Sequence, residues 1–379
     1  MTKSKVFVVG GTGAQGIPVV RGLVQDGAHS VRALTRDTKS SRSKQLVSLG
    51  DVELHEGTWA DEATLHSGFR VCQYAFVNID GFNSGEKTEM IWAIRAYEIA
   101  MEEGIKFYVY GNLDYAYKLS GYQPALRCGH YEYVSGRMSL RVLSWFPHSG
   151  KGRVGEWILY QNKDNSGRMG AALFTTGPYM EMALGKGTPM SPRIEDGVVT
   201  WSVPLGDGAV PHTALDDCAH YVRWLFDHQG EANGMDLQVA IDHLTYEEVA
   251  EAFTKVTGKP TRAVRVFMED YWRNSPFVFP ATAAAGYNAA SDDPANMTWQ
   301  SNFTGWWNAW RASGGNKGLV RRDYAVLDRI HPNRIRSAEQ WMRIEDAKDK
   351  QAGLGGLWER ASNLQPILKD AEDGRKGRL

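Results

Sequence analysis

The sequence predicts an α/β fold: a doubly wound parallel sheet with a smaller α/β domain toward the C-terminus. Three observations carry this prediction. A β-branched and aromatic run at 6–9 (VFVV) leads directly into glycines at 10, 13 and 16. Strand-like and helix-like patterns then alternate through the first 180 residues, as strand–helix–strand units require. After residue 240 the alternation gives way to a capped amphipathic helix and a tryptophan-rich segment.

The first strand is apolar throughout, as expected of a strand buried on both faces. In KVFVVGGTGAQGIPVVRGLVQDG the glycines follow it at three-residue spacing. Val20, Leu23 and Val24 then supply a helix stripe that stops at Gly27, with Pro18 in the first turn where proline is tolerated. Glycines permit a tight turn and close backbone approach, and a helix N-terminus offers N–H groups to a pyrophosphate. Strand before and helix after make this the dinucleotide fingerprint of a Rossmann sheet. The next strand, HSVRALTRD, ends in Arg36 where an NAD site carries an acid for the ribose diol. Arginine suits a 2′-phosphate, so NADP(H) is the expected cofactor.

VELHEG, YAFVNID and IKFYVYG read as further strands and 88–103 as a helix, with Met90, Ile94, Tyr97 and Met101 as its buried stripe. Ligands in such sheets bind at the carboxyl ends of the strands, which places Asn78, Gly111 and Asn112 beside the cofactor. In LTYEEVAEAFTKVTGKP, Thr245 is the N-cap, Glu248 completes a capping box and Leu244 is placed to staple Val249. Trp299, Phe303, Trp306, Trp307 and Trp310 fall at spacings that read first as a core stripe, with one of them open to an apolar substrate pocket. NKGLVRRDYAVLDRIHPNRIR alternates in charge and reads as a solvated face.

The chain has 379 residues and a net charge of -1, which provides no field for nucleic acid or an anionic membrane. Three cysteines, at 72, 128 and 218, lack metal-ligand spacing and suit a reducing, cytoplasmic compartment; no metal site is expected. No stretch approaches 18 apolar residues, so no membrane span is expected.

The motifs VFVVGGTGAQG, VRALTRD, AFVNIDGF, IKFYVYGNLDYAYKLSGY, TTGPYMEM and VPHTALDDCAHYV together resemble the NmrA-like family of atypical short-chain dehydrogenases, closest to its fungal members. The resemblance runs to about residue 343. It implies an NADP(H)-binding Rossmann domain (1–180 plus 204–239), a smaller domain closing over the cofactor (181–203 plus 240–342) and a charged tail (343–379) with a partial helix and a frayed end. On the family pattern the phosphate loop is Gly10, Gly11, Thr12, Gly13, Ala14, Gln15 and Gly16, and Arg36 is the 2′-phosphate contact. Thr58 and Trp59 fall on the adenine side, and Asn78, Ile79 and Asp80 follow the fourth strand. Gly177, Pro178, Tyr179 and Met180 line the nicotinamide end. Family members divide between reductases of secondary metabolism and dinucleotide-binding redox sensors, which would add a protein partner to the small-molecule substrate.

Most short-chain reductases use Tyr-x-x-x-Lys, in which lysine lowers the tyrosine pKa for proton delivery. That spacing occurs nowhere in this chain. The family form resembles GHYDGKGRV, which places His130 in the tyrosine position and Lys151 in the lysine position, reaching the nicotinamide ribose. Asn112 stands where relatives carry serines that polarise a carbonyl. Here GHYE and GKGRV are separated by 17 residues, 133–149. Without them His130 and Lys151 are four residues apart, on one helical face. Glu-Tyr-Val is encodable as GA|GTATGT and Ser149 as AG|C, so a retained intron explains the segment; a genuine surface insertion is the competing reading. Transcript reads that always contain the segment would exclude the intron.

Overall fold

The structure is a computed structural model that describes residues 3–129, 150–277, 279–286, 288–289, 293 and 295–368. His130 and the segment 133–149 lie outside the described residues. In chain order the first half reads β1 (Ser4–Val9), α1 (Gly16–Val24), β2 (His29–Thr35), α2 (Ser41–Ser48), β3 (Val52–Glu56), α3 (Glu62–Phe69), β4 (Tyr74–Val77), α4 (Gly81–Ser84), α5 (Glu86–Glu102), β5 (Phe107–Leu113), α6 (Ala116–Leu119), α7 (Lys151–Asn165) and β6 (Gly170–Thr176). The second half continues with β7 (Arg193–Glu195), β8 (Val198–Val203), β9 (Val210–His212), α8 (Asp217–Asp227), α9 (Gln229–Ala232), β10 (Asp236–Val239), β11 (Asp242–Leu244), α10 (Tyr246–Thr257), β12 (Thr261–Arg265), α11 (Met268–Arg273), α12 (Trp299–Arg311), α13 (Tyr324–Ile330), α14 (Ala338–Gln351) and α15 (Leu357–Ser362).

Seven strands form one sheet in the order β10-β6-β5-β4-β1-β2-β3, and every neighbouring pair is parallel. The order reverses between β1 and β4, so the chain leaves these two strands in opposite directions and opens a crevice at their carboxyl ends. Alternate residues serve opposite faces. Val6, Val8 and Phe76 pack with Val20 and Leu23 of α1 and Tyr221 and Leu225 of α8. Phe7, Val9, Ala75 and Val77 pack with Phe69 of α3, Tyr97 of α5 and Ile158 of α7. At Gly22 a side chain would come within 2.4 Å of the Ala219 carbonyl oxygen, so α1 and α8 approach as closely as backbones allow.

Helix α5 corrects the expected stripe. The residues it buries are Glu86, Glu89, Ala93, Ala96, Tyr97, Ile99 and Ala100, whereas Met90, Ile94 and Met101 are half-buried. Small alanines bring this face close to the sheet, and the bulkier residues flank it.

A second sheet, β12-β8-β7, and helices α10, α12 and α14 surround a further core. Thr245 and Glu248 form the expected capping box at α10, and Gly258 ends the helix in the left-handed region at φ +69°. This core continues past residue 342, through Leu357 and Ala361. Lys186 N–H donates to the Gln365 carbonyl (2.9 Å), so the chain is docked at least that far. Two of the expected solvated arginines are internal. Arg322 is fully buried and pairs bidentately with Asp114 at 2.7 Å for both contacts. Arg334 donates to the Ile241 carbonyl (2.7 Å). Alternating charge hid them because their partners lie on distant strand ends.

Candidate functional site

A cleft of about 300 Å³ opens at the reversal point of the large sheet. Its near half is made of backbone turns. After β1 the chain turns at Gly10, whose φ of +85° and 2.4 Å Cβ clearance to the Asn78 carbonyl oxygen exclude larger residues. Gly16 opens α1, and a Cβ there would stand 2.0 Å from the Gly10 carbonyl oxygen. No side chain caps this helix, so its positive end faces the cleft. These are the features a pyrophosphate cradle requires.

The residues expected in that cradle fall on the cleft with one exception. Gly10, Thr12, Gly13, Ala14, Gln15 and Gly16 line it. Gly11 instead faces Ala33, Val8 and Leu46 in the core. Arg36, just past β2, lines the cleft together with Leu34, Gly57 and Trp59. Thr58, expected beside Trp59, is not among the lining residues; its hydroxyl accepts from the Ala60 N–H (3.2 Å). Asn78, Ile79, Asp80, Gly177, Pro178 and Tyr179 all line the cleft. Met180 does not: it begins a helical turn and is wholly buried in the second core.

Lys151, the first residue of α7, reaches back to the ends of β4 and β5. Its Nζ donates to the Ile79 carbonyl (2.6 Å) and Asn78 Oδ1 (2.8 Å), and lies 3.1 Å from Glu89 Oε1. Asn78 in turn donates to Gln15 Oε1 (2.6 Å), so one polar chain joins the glycine loop, β4 and α7. Glu89 is wholly buried. Burial pushes its carboxyl up to about 6, against the opposing pull of Lys151. Burial also raises the neighbouring Glu86 well above the ordinary range. Composition alone gave no sign of these acids, although both lie on the sheet-facing side of α5.

Asn112 corrects an expectation. Its Nδ2 donates to Thr175 Oγ1 (2.9 Å), and that hydroxyl bonds Asp236. Its Oδ1 packs where a side chain on Gly155 would be, 2.7 Å away. The residue lines the cleft, but its amide points across the sheet to β6 rather than toward a substrate carbonyl.

The far half is aromatic. Phe82, Phe277, Phe279, Trp299, Phe303 and Trp306 line it, with Met182, Pro189 and Leu368. Asp80 caps α4 by accepting from the Phe82 N–H (3.0 Å), which fixes the first of these rings beside the cofactor-side turn. Trp307 and Trp310 face the core, so the tryptophan stripe serves both sides of α12. Among the described residues there is no cluster of metal-ligating side chains, and no helix is long and apolar enough to cross a membrane. The three cysteines are buried and form no disulfide.

A model described as the NmrA-like family matches residues 2–130 and 167–287, more than half of the chain. The NmrA-like family domain-containing oxidoreductase lnaB of Aspergillus flavus is 27% identical over 274 residues, covering 68% of this chain and 74% of that protein. The corresponding oxidoreductase FrzB of Cladobotryum sp is 26% identical over 279 residues, with 68% and 74% covered. Among solved structures, NmrA, a negative transcriptional regulator, in complex with NADP superposes with a TM-score of 0.63 at 16% identity, covering 93% of this chain and 98% of that one. An NADPH-dependent quinone oxidoreductase from Escherichia coli gives 0.59 at 16% identity, with 89% and 98% covered. At such identity the superpositions report a shared fold. With its glycine turn, its strand order and the span of the matching family model, the chain belongs to the NmrA-like family.

Proposed function

We propose that the protein is an NADP(H)-dependent oxidoreductase acting on a small C=O or C=N substrate, and that the near half of the cleft holds the dinucleotide. The observation that carries this is the meeting of an uncapped α1 N-terminus, the Gly10 and Gly16 turn and Arg36 in one cleft at the sheet's reversal point. Support comes from relatives named as oxidoreductases and from a structural neighbour in complex with NADP.

In this reading the α1 N-terminus and glycine backbone hold the pyrophosphate, and Arg36 selects the 2′-phosphate. Trp59 and Leu34 bound the adenine side, and Pro178 and Tyr179 bound the nicotinamide side. The cofactor supplies hydride. The protein positions it, excludes water with the aromatic half, and uses Lys151 to keep the Asn78 and Ile79 turn closed. A ribose contact by Lys151 exchanges one of the protein acceptors it holds.

One observation favours a second reading, a dinucleotide sensor without turnover. Lys151 already holds Asn78, Ile79, Glu89 and Gly111, so a ribose contact must displace one of them, and the Asn112 amide is turned toward β6. NADPH oxidation against a panel of carbonyl and imine compounds separates the two. Substrate-dependent oxidation supports the reductase; tight NADPH binding with no oxidation across the panel overturns it in favour of the sensor.

A further inference from the structure

We infer that the far half of the cleft is a slot for a flat, conjugated ring system, and that the orientation of its wall rings selects substrates for planarity. This rests on the near half holding the dinucleotide, which leaves the far half for the reacting molecule.

Four of the six wall rings are aligned with one another, whereas Phe277 is tilted 50° from Trp299 and 43° from Phe303, and Trp306 meets Phe303 at 69°. Phe82 and Trp299 lie 1° from parallel at 5.6 Å between centroids, Phe82 and Phe303 5° at 5.9 Å, and Trp299 and Phe303 6° at 5.2 Å. Phe279 stacks on Trp299 at 5.1 Å and 12°. These rings come from α4, from the loop before α12, and from α12 itself, so no single helix imposes their common direction. Deeper pairs of the same core are steep: Trp307 meets Tyr271 at 78° and Trp201 meets Phe253 at 68°. Edge-to-face and offset-stacked contacts are similarly favourable, so packing alone does not impose one direction on four rings from three segments.

The slot is also held in shape. Phe82 is pinned by the Asp80 cap. Asn288 N–H donates to the Asn83 carbonyl (2.9 Å), and its side-chain amide bonds that of Asn83, tying the loop that follows Phe279 to α4. Phe82, Phe277 and Phe279 are half-buried and line the cleft. Phe82, Met182, Pro189, Phe277, Phe279, Trp299, Phe303, Trp306 and Leu368 share the lining with the uncharged polar residues Asn83 and Thr188. Ring faces carry negative quadrupole density, so an electron-poor ligand such as a conjugated imine or ketone is favoured over a saturated one.

Calorimetric titration of the NADP⁺-saturated protein tests this, because the oxidised cofactor permits binding without turnover. The probes are isoquinoline and 1-indanone, both fused and flat, and trans-2-decalone, of similar size but saturated and puckered. The flat probes should bind about tenfold more tightly than the decalone, the order expected of one or two ring–ring contacts. Phe82→Leu and Phe279→Leu, which keep apolar bulk and remove the ring, should reduce that ratio to about threefold or less with NADP⁺ affinity unchanged. Equal binding of decalone, no binding of either flat probe, or a preference that survives both leucine variants overturns the inference. NADP⁺ binding is measured on the same samples. Its failure sinks the dinucleotide reading, and the probe ratio in the dinucleotide-free protein then decides the ring preference separately.

Discussion

The two halves of the cleft are built by opposite means. The near half is backbone: Gly10, Gly13 and Gly16, a helix end and the carboxyl ends of β1 and β4 lie within a few residues of one another in sequence or in the sheet. The far half is side chain: six rings, from Phe82 in α4 to Trp306 in α12, converge on it. A backbone site is general, because turns and helix ends recognise charge and shape common to dinucleotides. A side-chain site is free to change without disturbing the sheet, so it is where specificity accumulates.

The largest effect should come from the pair that ties the segment after α12 to the large sheet. Arg322, in the segment after α12, pairs with Asp114 at the end of β5 and donates to the Val239 carbonyl. Arg322→Met leaves Asp114 buried and uncompensated, with an expected loss of about 3–5 kcal/mol in urea unfolding. Adding Asp114→Leu should restore most of it. A loss below about 1 kcal/mol for the single variant would show that the pair is not a structural tie.

Next in size is a change confined to the near half. Gly16→Ala places a methyl group against the Gly10 carbonyl, with an expected cost of about 1–3 kcal/mol and a 10- to 100-fold weaker NADPH affinity. The flat probes should bind this variant as they bind the unaltered protein. Parallel losses in both halves would mean that the cleft responds as one unit.

The smallest effect concerns Glu181, half-buried behind the nicotinamide-side segment, where burial pushes its carboxyl up to about 8. A raised carboxyl stabilises the fold while protonated. That stability is complete below the ordinary glutamate range near 4.5 and is lost as pH rises toward 8. Glu181→Gln keeps an acceptor for the Leu215 N–H and should stabilise the protein by roughly 1 kcal/mol above pH 8, and not at pH 4. Thermal melts at the two pH values check this, and an equal gain at both would refute the assignment.

How far the sequence could be read follows from the same division. The glycine turn, Arg36, Asn78 and the α10 capping box are signals carried within a few neighbouring residues; in the structure the first three line the cleft and the last closes the start of α10. Thr58 and Met180 were expected on the cleft because their neighbours are there. A turn and a helical start point adjacent side chains in different directions, and these two face away. Phe277, Phe279 and Leu368 carry no local signal, since they become a wall only through tertiary packing. Glu89 and Arg322 are charged residues in surroundings that read as surface, and each is buried because a partner distant in sequence meets it: Lys151 for the first, Asp114 for the second. His130 and the residues 133–149, which divide the expected His–Lys motif, lie outside the described residues. Lys151 still begins its helix immediately after them and reaches the cleft.

The central claim is that this cleft binds NADP(H) through its glycine turn and Arg36. Titration of the full chain and of Arg36→Ala with NADPH and NADH tests it most directly. The unaltered protein should prefer NADPH by about tenfold or more, and the variant should lose that preference with little change toward NADH. Equal affinity of the unaltered protein for both dinucleotides, or equal losses for both in the variant, would contradict it.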